Sequence, residues 1–87
     1  MAKQLVVKLC EAIVRGTDED AKSAKHVGKR FYLGRCGTSY SMHLTNIHDE
    51  FEMIATSKVE DISVSSTSLI VYTMNTIYYF EFEEMAK

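Results

Sequence analysis

The chain has 87 residues, 46% of them hydrophobic and 25% charged, with a formal net charge of −2 and no proline. That length suits one domain, 1–87, with a single compact core and little room for a deep catalytic cleft, and the hydrophobic share excludes a disordered chain. The apolar runs are too short to span a bilayer as helices, and the opening MAKQLVVKLCEAIVRG mixes lysines and a glutamate into its apolar stretch with no small-residue cleavage site, so a soluble cytoplasmic protein without a membrane partner is expected.

Leu5, Leu9 and Ile13 recur every four residues, flanked by Val6, Cys10 and Val14, and this spacing predicts an amphipathic helix over 3–15 that ends at Arg15 and Gly16. Thr17 followed by Asp18, Glu19 and Asp20 has the form of a helix start, so a short second helix is expected across DEDAKSAKH, with Ala21, Ala24 and Val27 as its core-facing groups. From Lys29 the period changes to two. With a turn at Cys36-Gly37, Leu33 would face Tyr40, Phe31 would face Met42 and Lys29 would face Leu44 on the core side. Tyr32 with Ser41 and Arg30 with His43 would form the exposed side of the same hairpin.

TNIHDE reads as a polar loop, FEMIAT and KVEDISV as strands, and SSTS as a turn. The closing stretch SLIVYTMNTIYYFEF forms a hairpin about Asn75-Thr76, pairing Thr73 with Tyr78, Val71 with Phe80 and Leu69 with Phe82 on the core side. The expected fold is therefore α+β: an N-terminal helix, plus a short second helix, packed on a five- or six-stranded antiparallel meander, with a partly closed barrel as the variant.

Charge is segregated along the chain. Residues 21–48 carry Lys22, Lys25, Lys29, Arg30 and Arg35 with no acid, which is +5; residues 49–87 carry eight acids against Lys58 and Lys87, which is −6. A basic hairpin bearing a tyrosine can neutralise phosphates and stack a base, so Lys29, Arg30, Tyr32, Arg35 and His43 are candidate contacts for an anion or single-stranded nucleic acid. The stretch lacks the RRM signature, and a sequence pI near 5.9 is low for such a binder.

Catalytic and metal motifs are absent. His43, His48, Asp49 and Glu50 form the densest set of ligand-type residues, but two histidines five apart with no second cluster do not compose a zinc site, and a surface loop is the ordinary reading. Cys36 beside Arg35 lacks an evident base, and Cys10 and Cys36 fit small core or turn residues better than a secreted disulfide framework. GKR lacks the glycine and hydroxyl of a phosphate loop. No enzyme, metal or cofactor is expected.

The closing hairpin carries bulky groups on both faces. Opposite its core side stand Ile70, Tyr72, Met74, Ile77 and Tyr79, a composition enriched at interface cores, which makes these five the candidate partner or dimer interface. The short, motif-free acidic chain is similar in general character to accessory proteins of phages and other mobile elements, which commonly occupy a surface on a host protein. The reading is a non-catalytic interaction protein, an inhibitor or adaptor, that binds a host or cellular protein or nucleoprotein complex and forms a homodimer. A small nucleic-acid-binding regulator is the alternative, and a minimal enzyme built on Cys36 or on His43 and His48 is a third.

Overall fold

A computed structural model describes residues 5–34 and 37–83, Glu50 by its backbone alone. Six antiparallel strands follow one another as a meander and close into a barrel: β1 (Val6–Val14), β2 (Arg30–Leu33), β3 (Ser41–Asn46), β4 (Asp49–Val64), β5 (Ser68–Thr73) and β6 (Thr76–Glu83), with β1 hydrogen-bonded to both β2 and β6. Among the described residues the helical content is one 3₁₀ turn, Lys22–His26. The α+β expectation is therefore corrected to an all-β barrel.

The segment expected as the first helix is β1, and a bulge explains the misreading. Val7, Leu9 and Ala12 are fully buried, whereas the register against β6 shifts between Leu9 and Glu11. An extra residue in a period-of-two strand places inward groups at 7, 9 and 12, and that spacing of two then three imitates helical periodicity. Val6, Val7, Ile13 and Val14 are β-branched and suit a strand. Leu5 is consequently exposed at the strand's start, and Ile13 points outwards and is half-buried.

The second helix fails to form because β1 uses its backbone. β2 pairs with β1 only from Val6 to Lys8, and beyond that point the linking segment serves as the wall. Val14 N donates to Glu19 O, Ala21 N to Ala12 O, Gly28 N to Leu9 O and Leu9 N to Lys29 O, all at 2.8–3.1 Å. Residues tied at both ends to a strand edge leave room for a single tight turn between them. Gly28 bends the chain into β2 with φ of 92°, a left-handed conformation that glycine adopts without steric cost. Ala21 and Ala24 do pack on the core.

Both hairpins keep their expected faces and lose their expected registers. Phe31 pairs with Asn46 and Leu33 with Leu44, four residues from the expected pairing, while Val71 pairs with Tyr78 and Leu69 with Phe80, a slip of two. Even shifts preserve the side on which every residue lies. Phe31, Met42, Leu44, Leu69, Val71, Thr73, Tyr78 and Phe80 accordingly line the interior. Lys29 and Tyr40, expected on the core side, are exposed because the longer first connection leaves them beyond the paired segment. Cys36, half of the expected turn there, lies outside the described residues.

FEMIAT and KVEDISV are one strand of 16 residues. Its first part pairs with β3 and its last part with β5, with irregular registers in each partnership, so β4 turns the corner that curls the meander shut. The buried polar groups repair these irregularities. Thr56 Oγ1 accepts from Met42 N at 3.0 Å and donates to Ser57 O at 2.7 Å, and Thr73 Oγ1 donates to Thr76 O at 2.7 Å while accepting from Thr76 N at 3.0 Å. The SSTS turn is held by Ser65, whose N donates to Ser68 O at 2.9 Å.

Candidate functional site

The outer face of β1, β6, β5 and the end of β4 carries a cross-strand row that the registers define residue by residue. Asp20 bridges Ile13, Ile13 pairs with Ile77, Ile77 with Tyr72, and Tyr72 with Asp61. Directly paired residues share a face, so two isoleucines and a tyrosine stand side by side between two carboxylates. The next outward row along the strands runs Glu11, Tyr79, Ile70, Ser63. The five apolar and aromatic groups are half-buried, while Asp20, Glu11, Asp61 and Ser63 are exposed. At about 4.8 Å per strand the apolar strip spans about 10 Å along the curved barrel wall, and the flanking carboxylates lie one strand further round on either side.

Four of the five residues predicted as an interface, Ile70, Tyr72, Ile77 and Tyr79, are thus brought together. Met74 is not: the two-residue slip puts it in the turn, 56% exposed, its N–H bonded to Lys58 O. Ile13, Glu11, Asp20 and Asp61 join the face without having been predicted to. Recognising the β1 bulge in LVVKLCEAIV would have placed Ile13 outside and made the strip visible.

Of the cations near this face, Arg15 at its end pairs with Glu60 and donates to Thr73 O at 3.0 Å, while Lys8 stands cross-strand from Glu81 in the next outward row. Among the described residues, Asp20, Glu11 and Asp61 form no ion pair.

The basic hairpin presents a different balance. Arg30 Nε donates to Glu83 Oε1 at 3.0 Å, and Lys29 Nζ donates to Glu52 Oε1 at 2.8 Å. His26 Nδ1 also comes within 2.8 Å of Glu52 Oε1, though not aligned as a hydrogen bond, and its ring meets Phe31 edge-on. The hydrogen bond from Lys29 holds the Glu52 carboxyl below its ordinary range, with the charges of Lys29 and His26 adding to it and desolvation opposing. Tyr32 is half-buried between Val6 and Thr45, His43 is exposed opposite Ala55, and Arg35 lies outside the described residues. The two best-placed cations are therefore held by carboxylates from β4 and β6.

Cys10 is a free thiol whose Sγ points at Lys8 O, and burial together with the nearby Glu81 charge pushes it above the usual thiol range, away from nucleophilic character. Cys36 lies outside the described residues. Among the described residues no three His, Cys, Asp or Glu side chains stand together as metal ligands, and no helix is long and apolar enough to cross a membrane. No protein-family model, curated protein or solved structure matches the chain.

Proposed function

We propose that the protein is a non-catalytic interaction module, of inhibitor or adaptor type, that acts by laying the outer face of β1, β6 and β5 against a macromolecular partner. The observation that carries this reading is the strip Ile13, Ile77, Tyr72, Tyr79 and Ile70, contiguous across three strands and outside a barrel whose interior is already filled. Closure of the barrel supplies the core with its own walls, so the outer strip is not needed as a second core face.

A protein partner of different sequence is favoured over a second copy. A two-fold contact through this face with the strands of the two copies aligned would bring Asp20, Glu11 and Asp61 against the same acids, and like charges in apposition oppose association. The nucleic-acid reading has less support, because Lys29 and Arg30 are engaged by Glu52 and Glu83.

The test is the double substitution Tyr72→Ser with Tyr79→Ser. The wild type is expected to sediment as a monomer at neutral pH and to retain a partner from its native source; the variant should keep its circular dichroism spectrum and lose that partner. Unchanged partner retention by a folded variant would contradict the assignment of the face. A dimer of the wild type that the variant abolishes would restore the homodimer.

A further inference from the structure

Beyond that face, and without depending on it, we infer that the open edge of β4 from Ile62 to Val64, at the barrel rim beside it, takes up an extended segment of a partner protein as an added strand. That segment carries a basic side chain beside Asp61 and apolar side chains beside Ile62 and Val64. Strand pairing leaves this edge open. Ser65 N donates to Ser68 O, and counting back by twos in the same register, Ser63 with Ile70 and Asp61 with Tyr72 are the pairs whose backbone groups meet β5. Ile62 and Val64 turn theirs to the opposite side. There β3 accompanies β4 only as far as Val59, whose N donates to Tyr40 O and whose O accepts from Ser39 N, both at 2.9 Å. Tyr40 N donates to Gly37 O at 3.3 Å, closing a turn in which Ser39 has a left-handed φ of 74°, and this turn takes the chain off the edge before residues 60–64. Among the described residues Ile62 N is capped by Asp61 Oδ1 at 2.9 Å, while Ile62 O, Val64 N and Val64 O have no hydrogen-bond partner.

Three features of the edge define its occupant. Open main-chain groups at alternate residues are met by an extended chain, whereas a helix has already used its own. Val64 lies on the same side as Ile62, which packs on the core, yet it is 65% exposed at the rim, so an apolar group beside it is covered as the strand adds. Asp61, on the outer side, forms no ion pair among the described residues, which favours a cation there and disfavours an acidic segment or a nucleic-acid phosphate. The antiparallel two-fold pairings that bond Ile62 or Val64 to a second copy set Ser63, Ser65 or Thr67 of the copy beside Asp61, leaving it without a cation, so a partner of different sequence is favoured.

The probes are two end-capped peptides of about seven residues, long enough to overlap residues 60–64, alternating valine with lysine in the first and valine with glutamate in the second. In the free full chain the Val64 amide is expected to exchange with solvent at close to the unstructured rate, while the Ser63 amide, turned to β5, is protected. The lysine peptide at saturation should slow Val64 exchange about tenfold or more, and the glutamate peptide should bind about tenfold more weakly. Val64→Pro, a substitution that an open edge tolerates, should keep the denaturation midpoint and lose the lysine peptide; Val64→Thr should retain it, and Asp61→Asn should reduce the preference for lysine over glutamate. A measurement that leaves the protein unaltered is N-methylation of the lysine peptide, at its valine nitrogens in one version and at its lysine nitrogens in another: only one of the two should bind. A Val64 amide already protected in the dilute free protein, protection that rises with protein concentration alone, equal binding of both peptides or of neither, binding of both methylated versions, or unchanged binding by a folded Val64→Pro variant would each overturn the inference. The docking face is read separately, because Tyr72→Ser with Tyr79→Ser tests the native partner and leaves the edge at Val64 in place.

Discussion

The outer face of β1–β6–β5 and the outer face of the first hairpin are both patches of barrel exterior, and by sequence alone it is the hairpin that has the character of a binding surface. In the folded chain the relation reverses. Lys29 and Arg30, the centre of a stretch with five cations and no acid, meet Glu52 and Glu83 brought from distant strands, whereas among the described residues Asp20, Glu11 and Asp61 form no ion pair around a strip of isoleucine and tyrosine. A charge run in sequence is a property of the chain; an unbalanced face is a property of the fold. Of the two, the unbalanced face is the one we propose as the partner surface, because the best-placed cations of the other are already paired within the chain.

The comparison can be broken most forcefully by testing which side of β6 is the core. Phe80 is 1% exposed inside the barrel, and its neighbour Tyr79 lies outside. Phe80→Ala is expected to cost about 3–5 kcal/mol in chemical denaturation, while Tyr72→Ser with Tyr79→Ser costs about 1 kcal/mol through lost cross-strand pairs. Comparable losses in the two would show that the tyrosines belong to the core and that the outer strip has been misassigned.

A smaller effect than that of Phe80 is expected at Thr73, fully buried where the strip meets the β5–β6 turn. Thr73→Val removes both hydroxyl bonds to Thr76 and should destabilise by about 1–2 kcal/mol, read as a shifted denaturation midpoint at unchanged slope. An unaltered midpoint would mean that this turn does not hold the β5–β6 register on which the strip depends.

For the basic hairpin, the sharpening experiment is titration. Glu52 is held below its ordinary range chiefly by the Lys29 hydrogen bond, so its contribution is present above the unfolded carboxylate range and is lost as pH falls through the lower folded value. Glu52→Gln should therefore be less stable than the wild type at pH 7, and the gap should close under acid conditions. A gap that persists in acid would dissociate Glu52 from Lys29. The smallest expected signal is no signal: at low salt the wild type should leave the anisotropy of a labelled single-stranded oligonucleotide unchanged, and a steeply salt-dependent rise would return the hairpin to first place.

Sidedness was legible in the sequence where strands alternate cleanly. Phe31, Leu33, Met42 and Leu44, and likewise Leu69, Val71, Phe80 and the outward Ile70, Tyr72, Ile77 and Tyr79, fall on the expected faces even though both registers slipped, because slips of two or four conserve parity. The β1 bulge hid the N-terminal strand, since one extra residue turns a period of two into an apparent helical stripe, and with it hid Ile13 as the middle of the apolar row. The flanking acids were invisible for another reason: Asp20 and Asp61 are 41 positions apart in number, and only pairing through β1, β6 and β5 makes them the two ends of one row. The partners of Lys29 and Arg30 are likewise non-local contacts that spacing does not encode.

The central claim is that this outer face, and not the hairpin, is where the molecule meets its partner. A photo-crosslinking amino acid placed at Ile77, the middle of the row, should yield a single partner adduct on irradiation in the native source, while the same group at Thr45, on the outer face of the first hairpin, should yield none. Adduct formation at Thr45 with none at Ile77 would contradict the account.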